Sequence, residues 1–257
     1  MIVAVCLTAS GCALNNNNSA PDAAADTEHA RLAFGGRLFD MWYDDIDTSF
    51  VPDDPDTPEV DGRGGPNGDG TLNDTNGAVI PNTGHDYRFK NLLGWDMRGD
   101  AGIYGTGYQE KPYILPTGPL SDEHIGDTRA DWIGRIRDGF GALPAYGGVL
   151  KDSQIAALVD YMLAVRDRQL PHPDDLYRLS KTAPKGFVLL AGGDAERGRQ
   201  FYDRQCADCH GTDATEVLFD GGEQTLGMHA RYYGYAIAMI TLAGEPGSEM
   251  GCLLYTS

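Results

Sequence analysis

Three side chains of unlike chemistry fall within five residues in Cys206-Ala207-Asp208-Cys209-His210: two thiols three positions apart and an imidazole directly after the second. On a helical turn the thiols share one face. Placed so, they can form thioether bonds to the two vinyl groups of a porphyrin while the imidazole reaches its iron, and Cys-x-x-Cys-His is the attachment pattern of c-type haem. A Cys-x-x-Cys pair can also be half a zinc site or a redox disulfide, but zinc would want a second ligand pair and no other Cys-x-x-Cys occurs in the chain. The reading is one covalent haem c on Cys206 and Cys209, with His210 as iron ligand.

Other candidate groups carry less. His29, His85, His124 and His172 have no metal-ligand spacing to one another, so surface or hydrogen-bonded histidine is expected for each. Asn67-Gly68-Asp69-Gly70-Thr71-Leu72-Asn73 has calcium-loop character, yet Gly65 stands at the first ligand position and Asn76 where a bidentate Glu belongs. A solvated acidic loop over residues 52–76 is the better expectation. Nothing resembles a Ser-His-Asp set, a Walker A loop or a dinucleotide fingerprint.

The elements that must hold the haem pentapeptide can be placed. Gly192-Gly193-Asp194 offers a turn and an N-cap, and residues 195–205 read as a short helix with Phe201 and Tyr202 on its apolar side. Residues 230–242 are an apolar helix candidate stopped by Gly244 and Pro246, after which come Gly247-Ser248-Glu249-Met250. Further upstream, residues 151–165 have a cappable start at Asp152 or Ser153 and helical spacing at Ile155, Leu158, Val159 and Met162. Residues 169–175 read as a linker, with 177–190 packing across the junction.

From Gly198 through Tyr202 to Cys206-Ala207-Asp208-Cys209-His210-Gly211 the spacing resembles class I cytochromes c. The resemblance implies a methionine ligand after a Pro-Gly-containing loop, a place matched by Met250. Met228 and His229 stand as competing candidates, as does an open sixth position, whereas Met239 lies in an apolar stretch where core is the usual role. Residues 29–168 resemble a second, blurred copy of the plan, with Gly35-Gly36-Arg37-Leu38-Phe39 in its opening helix, Gly94-Trp95-Asp96-Met97-Arg98-Gly99 in its middle and Ala142-Leu143-Pro144-Ala145-Tyr146-Gly147 in place of the methionine loop. Phe89, Leu92 and Leu93 occupy the positions of its Cys, Cys and His, and Leu143 that of its methionine, so this copy is expected to be haem-free. An unrelated helical domain with ordinary leucine core positions explains the same residues one by one.

The expected fold is therefore mainly α: two tandem cytochrome c-like helical domains, the first degenerate with a long loop, the second lacking its last helix. The layout is a signal segment (1–11), a tether (12–28), the haem-free domain (29–168), a linker (169–186), the haem domain (187–251) and a tail (252–257). An apolar run at 2–7 followed by Ala9-Ser10-Gly11 resembles a bacterial lipoprotein processing site, with Cys12 as the lipidated residue. No Lys or Arg precedes the run and Ala9 replaces a larger aliphatic, so Met1 is expected to lie inside a longer signal; a plain secretory signal is the alternative. Residues 252–257 resemble a translated sequencing adaptor, so the natural chain is expected to continue past Gly251.

Twenty Lys and Arg against 38 Asp and Glu give a formal charge of -18. Such a surface repels a nucleic acid backbone and attracts a basic docking face on another protein. The functional expectation is a periplasmic, membrane-anchored lipoprotein that transfers single electrons, more carrier than catalyst. A cytochrome subunit or fused module of a periplasmic oxidoreductase, and a haem-based ligand sensor, are the alternatives.

Overall fold

The computed structural model describes residues 28–52, 56–74, 76–105, 111–183, 185–248 and 250. The signal segment, Cys12, the tether up to residue 27 and the tail lie outside the described residues. Chain order is α1 (Glu28–Met41), a hairpin of β1 (Thr71–Asn73) and β2 (Val79–Pro81), α2 (Phe89–Leu93), α3 (Arg129–Asp138), α4 (Asp152–Arg166) and α5 (Pro173–Leu176). It continues through a hairpin of β3 (Tyr177–Leu179) and β4 (Phe187–Leu189), then α6 (Ala195–Gln205), α7 (Ala207–His210), a two-residue ladder of β5 (Leu218–Phe219) and β6 (Gln224–Thr225), α8 (Leu226–Tyr232) and α9 (Gly234–Ala243). All three ladders are antiparallel, and helix prevails over strand, so the class is mainly α.

The most extensive helix pairing is α1 with α4. Gly35 makes it close: a Cβ there would overlap the Ala157 carbonyl oxygen and stand 2.8 Å from Tyr161 Cβ. Leu32, Phe34, Leu38 and Phe39 of α1 and Ile155, Leu158, Val159 and Met162 of α4 are buried in the same core. α4 begins one residue later than the apolar spacing implies, with the Gln154 side chain accepting from the Lys151 backbone N–H at 2.7 Å in place of a Ser or Asp cap. α3 has the capping box that its sequence Thr128-x-x-Asp131 encodes.

Phe89, Leu92 and Leu93 lie on the single helical turn α2 and are fully buried, and Leu143 is buried too. The Phe89 ring sits 4.2 Å from that of Tyr146, whose hydroxyl donates to the Tyr87 carbonyl at 2.6 Å. Trp42 Nε1 donates to the same carbonyl at 3.1 Å and its indole stacks on Phe50 at 5.3 Å. The interior around α2 is thus filled with aromatic and aliphatic side chains that supply their own polar partners. Asp96, fully buried, accepts from the Ile103 N–H at 2.8 Å and faces Arg98 at 4.0 Å.

The described residues 56–74 and 76 contain more local structure than their Asp, Gly and Pro content implies. Asp74 turns the β1–β2 hairpin by accepting from the N–H groups of Asn76 and Ala78, each at 2.8 Å. Asp69 accepts from the Thr71 N–H at 3.0 Å and its hydroxyl at 2.8 Å.

The second half departs from the expected layout. The 230–242 helix is two helices broken at Tyr233, and α9 packs against α1. Gly36 permits this: a Cβ on it would come within 2.5 Å of Ala243 Cβ. The Tyr161 hydroxyl donates to Met239 Sδ at 3.6 Å, and Tyr235 stacks edge-on against Tyr177 and Phe187 of the β3–β4 hairpin. The reason lies in composition: α9 is apolar on every side and must be covered, while α6, α7 and α8 contain no buried residue.

Candidate functional site

The pentapeptide Cys206–His210 is held by local chemistry. α6 starts where Asp194 accepts from the Arg197 N–H at 2.9 Å. It ends at Cys206, from which α7 makes one more turn: the N–H groups of Cys209 and His210 donate to the Cys206 carbonyl at 3.2 and 2.9 Å. Gly211 closes this turn with φ +78°, a left-handed conformation that suits glycine. The Tyr202 hydroxyl reaches over the motif to donate to the Gly211 carbonyl at 2.6 Å.

Both thiols are free, Cys206 half-buried and Cys209 exposed. Burial, then the neighbouring Cys209, pushes the Cys206 thiol above its ordinary pKa. His210 Nδ1 is enclosed by protein and has no hydrogen-bond partner among the described residues. Among the described residues no cluster of three or more His, Cys, Asp and Glu side chains is placed to hold a bare metal ion.

The surroundings bear on whether a porphyrin suits this place. Three helices here bury no side chain of their own, and Val217, Leu218, Met228 and Tyr232 stand exposed around them. Gly198 of α6 meets nothing within 4 Å, in contrast to Gly35 of α1. Helices without an interior of their own lack the apolar burial that holds a small domain together. The set therefore fits a flat apolar group tied to the two thiols: it offers free sulfurs on one turn, an imidazole beside them and uncovered apolar surface.

The candidates for the far axial ligand separate by environment. Met239 is core, bonded by Tyr161. Met228 is exposed, and the His229 ring is stacked at 4.6 Å on Phe219 and 4.7 Å from Tyr233. Met250 is half-buried, with its N–H donating to Ser248 Oγ at 3.1 Å, and Ser248 Oγ in turn donates to the Glu245 carbonyl at 3.1 Å. His85 and His124 are side-chain partners of Tyr43 and Asp127, at 2.6 and 2.7 Å. His172 caps α5 by accepting from the Asp174 N–H at 3.2 Å.

Sequence reasoning missed Arg37, Asp45 and Glu245, which join the segment ahead of Met250 to α1 and the turn after it. Arg37 Nε donates to both Asp45 oxygens at 2.9 and 3.1 Å and Nη1 to the Ala243 carbonyl at 3.2 Å. No local pattern marks a pair 206 residues apart.

No protein-family model, no curated protein and no solved structure matches this chain. No helix among the described residues is long and apolar enough to cross a membrane.

Proposed function

We propose that this protein is an exported c-type cytochrome that passes single electrons through one haem c. Cys206 and Cys209 would hold the group through thioether bonds, and His210 and Met250 would supply its iron ligands. When bound, the haem supplies a reversible one-electron iron couple. The chain's own residues do the holding. The Cys206 carbonyl and the Tyr202 hydroxyl fix the turn that presents both thiols and the imidazole. The Met250 thioether would serve as a soft, neutral second ligand beside His210, and such a ligand pair would suit electron transfer and not capture of a small ligand. The acidic surface favours a redox partner with a basic docking face, and lipid on Cys12 would keep the carrier at the periplasmic face of a membrane.

The observation that carries this reading is the free thiol pair and imidazole on one helical turn, set among three helices that bury nothing by themselves. The test is to produce the full chain together with covalent haem-maturation machinery and to count pigment that survives denaturation. One haem per chain is expected. Cys206→Ser with Cys209→Ser should give colourless protein, and colour retained by that variant would end the proposal.

A further inference from the structure

The half of the molecule read as haem-free holds the segment that carries Met250. α9 lies on α1 and α4, and Ala243 at its end seats on Gly36. From there the chain is fixed on both sides. The Arg37 guanidinium bridges the Ala243 carbonyl and the Asp45 carboxylate, a pair in which the Arg37 side chain is 11% and the Asp45 side chain 2% exposed. The Gly247 backbone lies beside the Asp45 carboxylate, and a Cβ on Gly247 would stand 3.3 Å from Asp44 Cβ. Glu245 turns its carboxyl toward Asp40 of α1, Asp44 after it, and Arg88 and Lys90 at α2. Its carbonyl takes the Ser248 hydroxyl, and Ser248 takes the Met250 N–H. Two hydrogen-bonded clusters hold this segment, Arg37 with the Ala243 carbonyl and Asp45, and Ser248 with the Glu245 carbonyl and the Met250 N–H, and the short backbone from Ala243 to Glu245 joins them, whereas no hydrogen bond from α6 or α7 to residues 244–250 is found among the described residues.

We infer that the haem-free half is the anchor that sets Met250 at the iron, with Arg37 as the positioning residue for that ligand. The inference rests on the cytochrome reading above. It gives the first half a role that needs no second cofactor: a rigid surface against which a short arm is held, so that the thioether meets the iron in one geometry.

The test uses the full chain matured with covalent haem, in the parent, Arg37→Met, Arg37→Lys, Asp45→Asn, Met250→Ala and the double variant Arg37→Met with Met250→Ala. Four readouts are followed: covalent haem per chain, the methionine-sulfur-to-iron absorption band, the reduction potential and carbon monoxide binding to reduced protein. The parent should show the band and resist carbon monoxide. Arg37→Met should keep its covalent haem but lose the band, bind carbon monoxide and fall in potential, as Met250→Ala does. Arg37→Lys, which keeps the charge on Asp45, should regain part of the band. The double variant should match Met250→Ala, because both changes remove the same ligation. An Arg37→Met protein that unfolds cooperatively like the parent yet keeps the full band and the parent's potential overturns the anchor. If Arg37→Met does not fold, Asp45→Asn decides in the same way. A parent with covalent haem and no sulfur band also overturns it while sparing the attachment site. A colourless parent overturns the cytochrome reading itself.

Discussion

Gly35 of α1 lies so close against Ala157 of α4 that a single added methyl would enter the Ala157 carbonyl oxygen. This contact brings the two principal helices together and lets Leu38, Phe39, Leu158 and Met162 share one interior. Gly198 of α6, which like Gly35 stands four residues before an aromatic, faces open space.

The two glycines should answer substitution with opposite signs. Gly35→Ala forces the helices apart and should cost about 1–3 kcal/mol, the range for overpacking a tight interior. Gly198→Ala meets no atom and should stabilise α6 by up to about 1 kcal/mol through helix propensity. Denaturant midpoints of the two variants, compared at constant slope, check this.

Phe89 stands in the interior where the blurred copy would have its first haem cysteine. Phe89→Ala should cost about 3–5 kcal/mol, as large-to-small changes in a packed core do. The covalent haem count should stay at one per chain. A second haem in the parent protein would mean that the first half is not what its filled interior implies.

A buried carboxyl, Asp96, and a half-buried one, Glu245, give the fold a pH dependence with a definite sign. Burial pushes Glu245 up to about 7, helped by Asp40 and Asp44 nearby, and burial pushes Asp96 up to about 6 against the opposing pull of Arg98. In the unfolded chain both ionise near pH 4. Between those values the folded protein keeps protons that the unfolded chain releases, so their contribution is complete below about pH 4 and is lost as pH rises through 6 to 7. For Asp96 alone the loss is on the order of 3 kcal/mol. Melting temperatures should fall across this window and level off above it, and Glu245→Gln should remove the upper part of the slope.

The acidic surface makes a kinetic prediction. Electron transfer with a basic redox protein should slow as ionic strength rises, because salt screens the attraction that guides encounter. Stopped-flow rates that do not change between low and physiological salt would remove steering from the account.

Legibility in the sequence followed distance along the chain. α6 spans the residues its cap and apolar side indicate, since Asp194, the Cys206 carbonyl and Tyr202 all act within a few positions. The α4 helix was equally plain in its apolar spacing, with only its first turn altered by Gln154. The β1–β2 hairpin escaped notice because it depends on side-chain acceptance by Asp74 and not on an alternating apolar pattern. The break at Tyr233 and the seat of α9 on Gly36 escaped for a different reason. A uniformly apolar helix announces that it will be covered, but nothing in its own residues names the surface that covers it.

The clasp between Arg37 and the Ala243 carbonyl joins positions 206 residues apart. Closing so long a segment is entropically unfavourable and contributes only once α1 and α4 already offer a finished surface, so α9 should seat late in folding. The same arrangement makes α9 a plug that holds by packing: a protease cut in the exposed stretch around α6 should leave the C-terminal fragment still bound to the rest, and released only by denaturant.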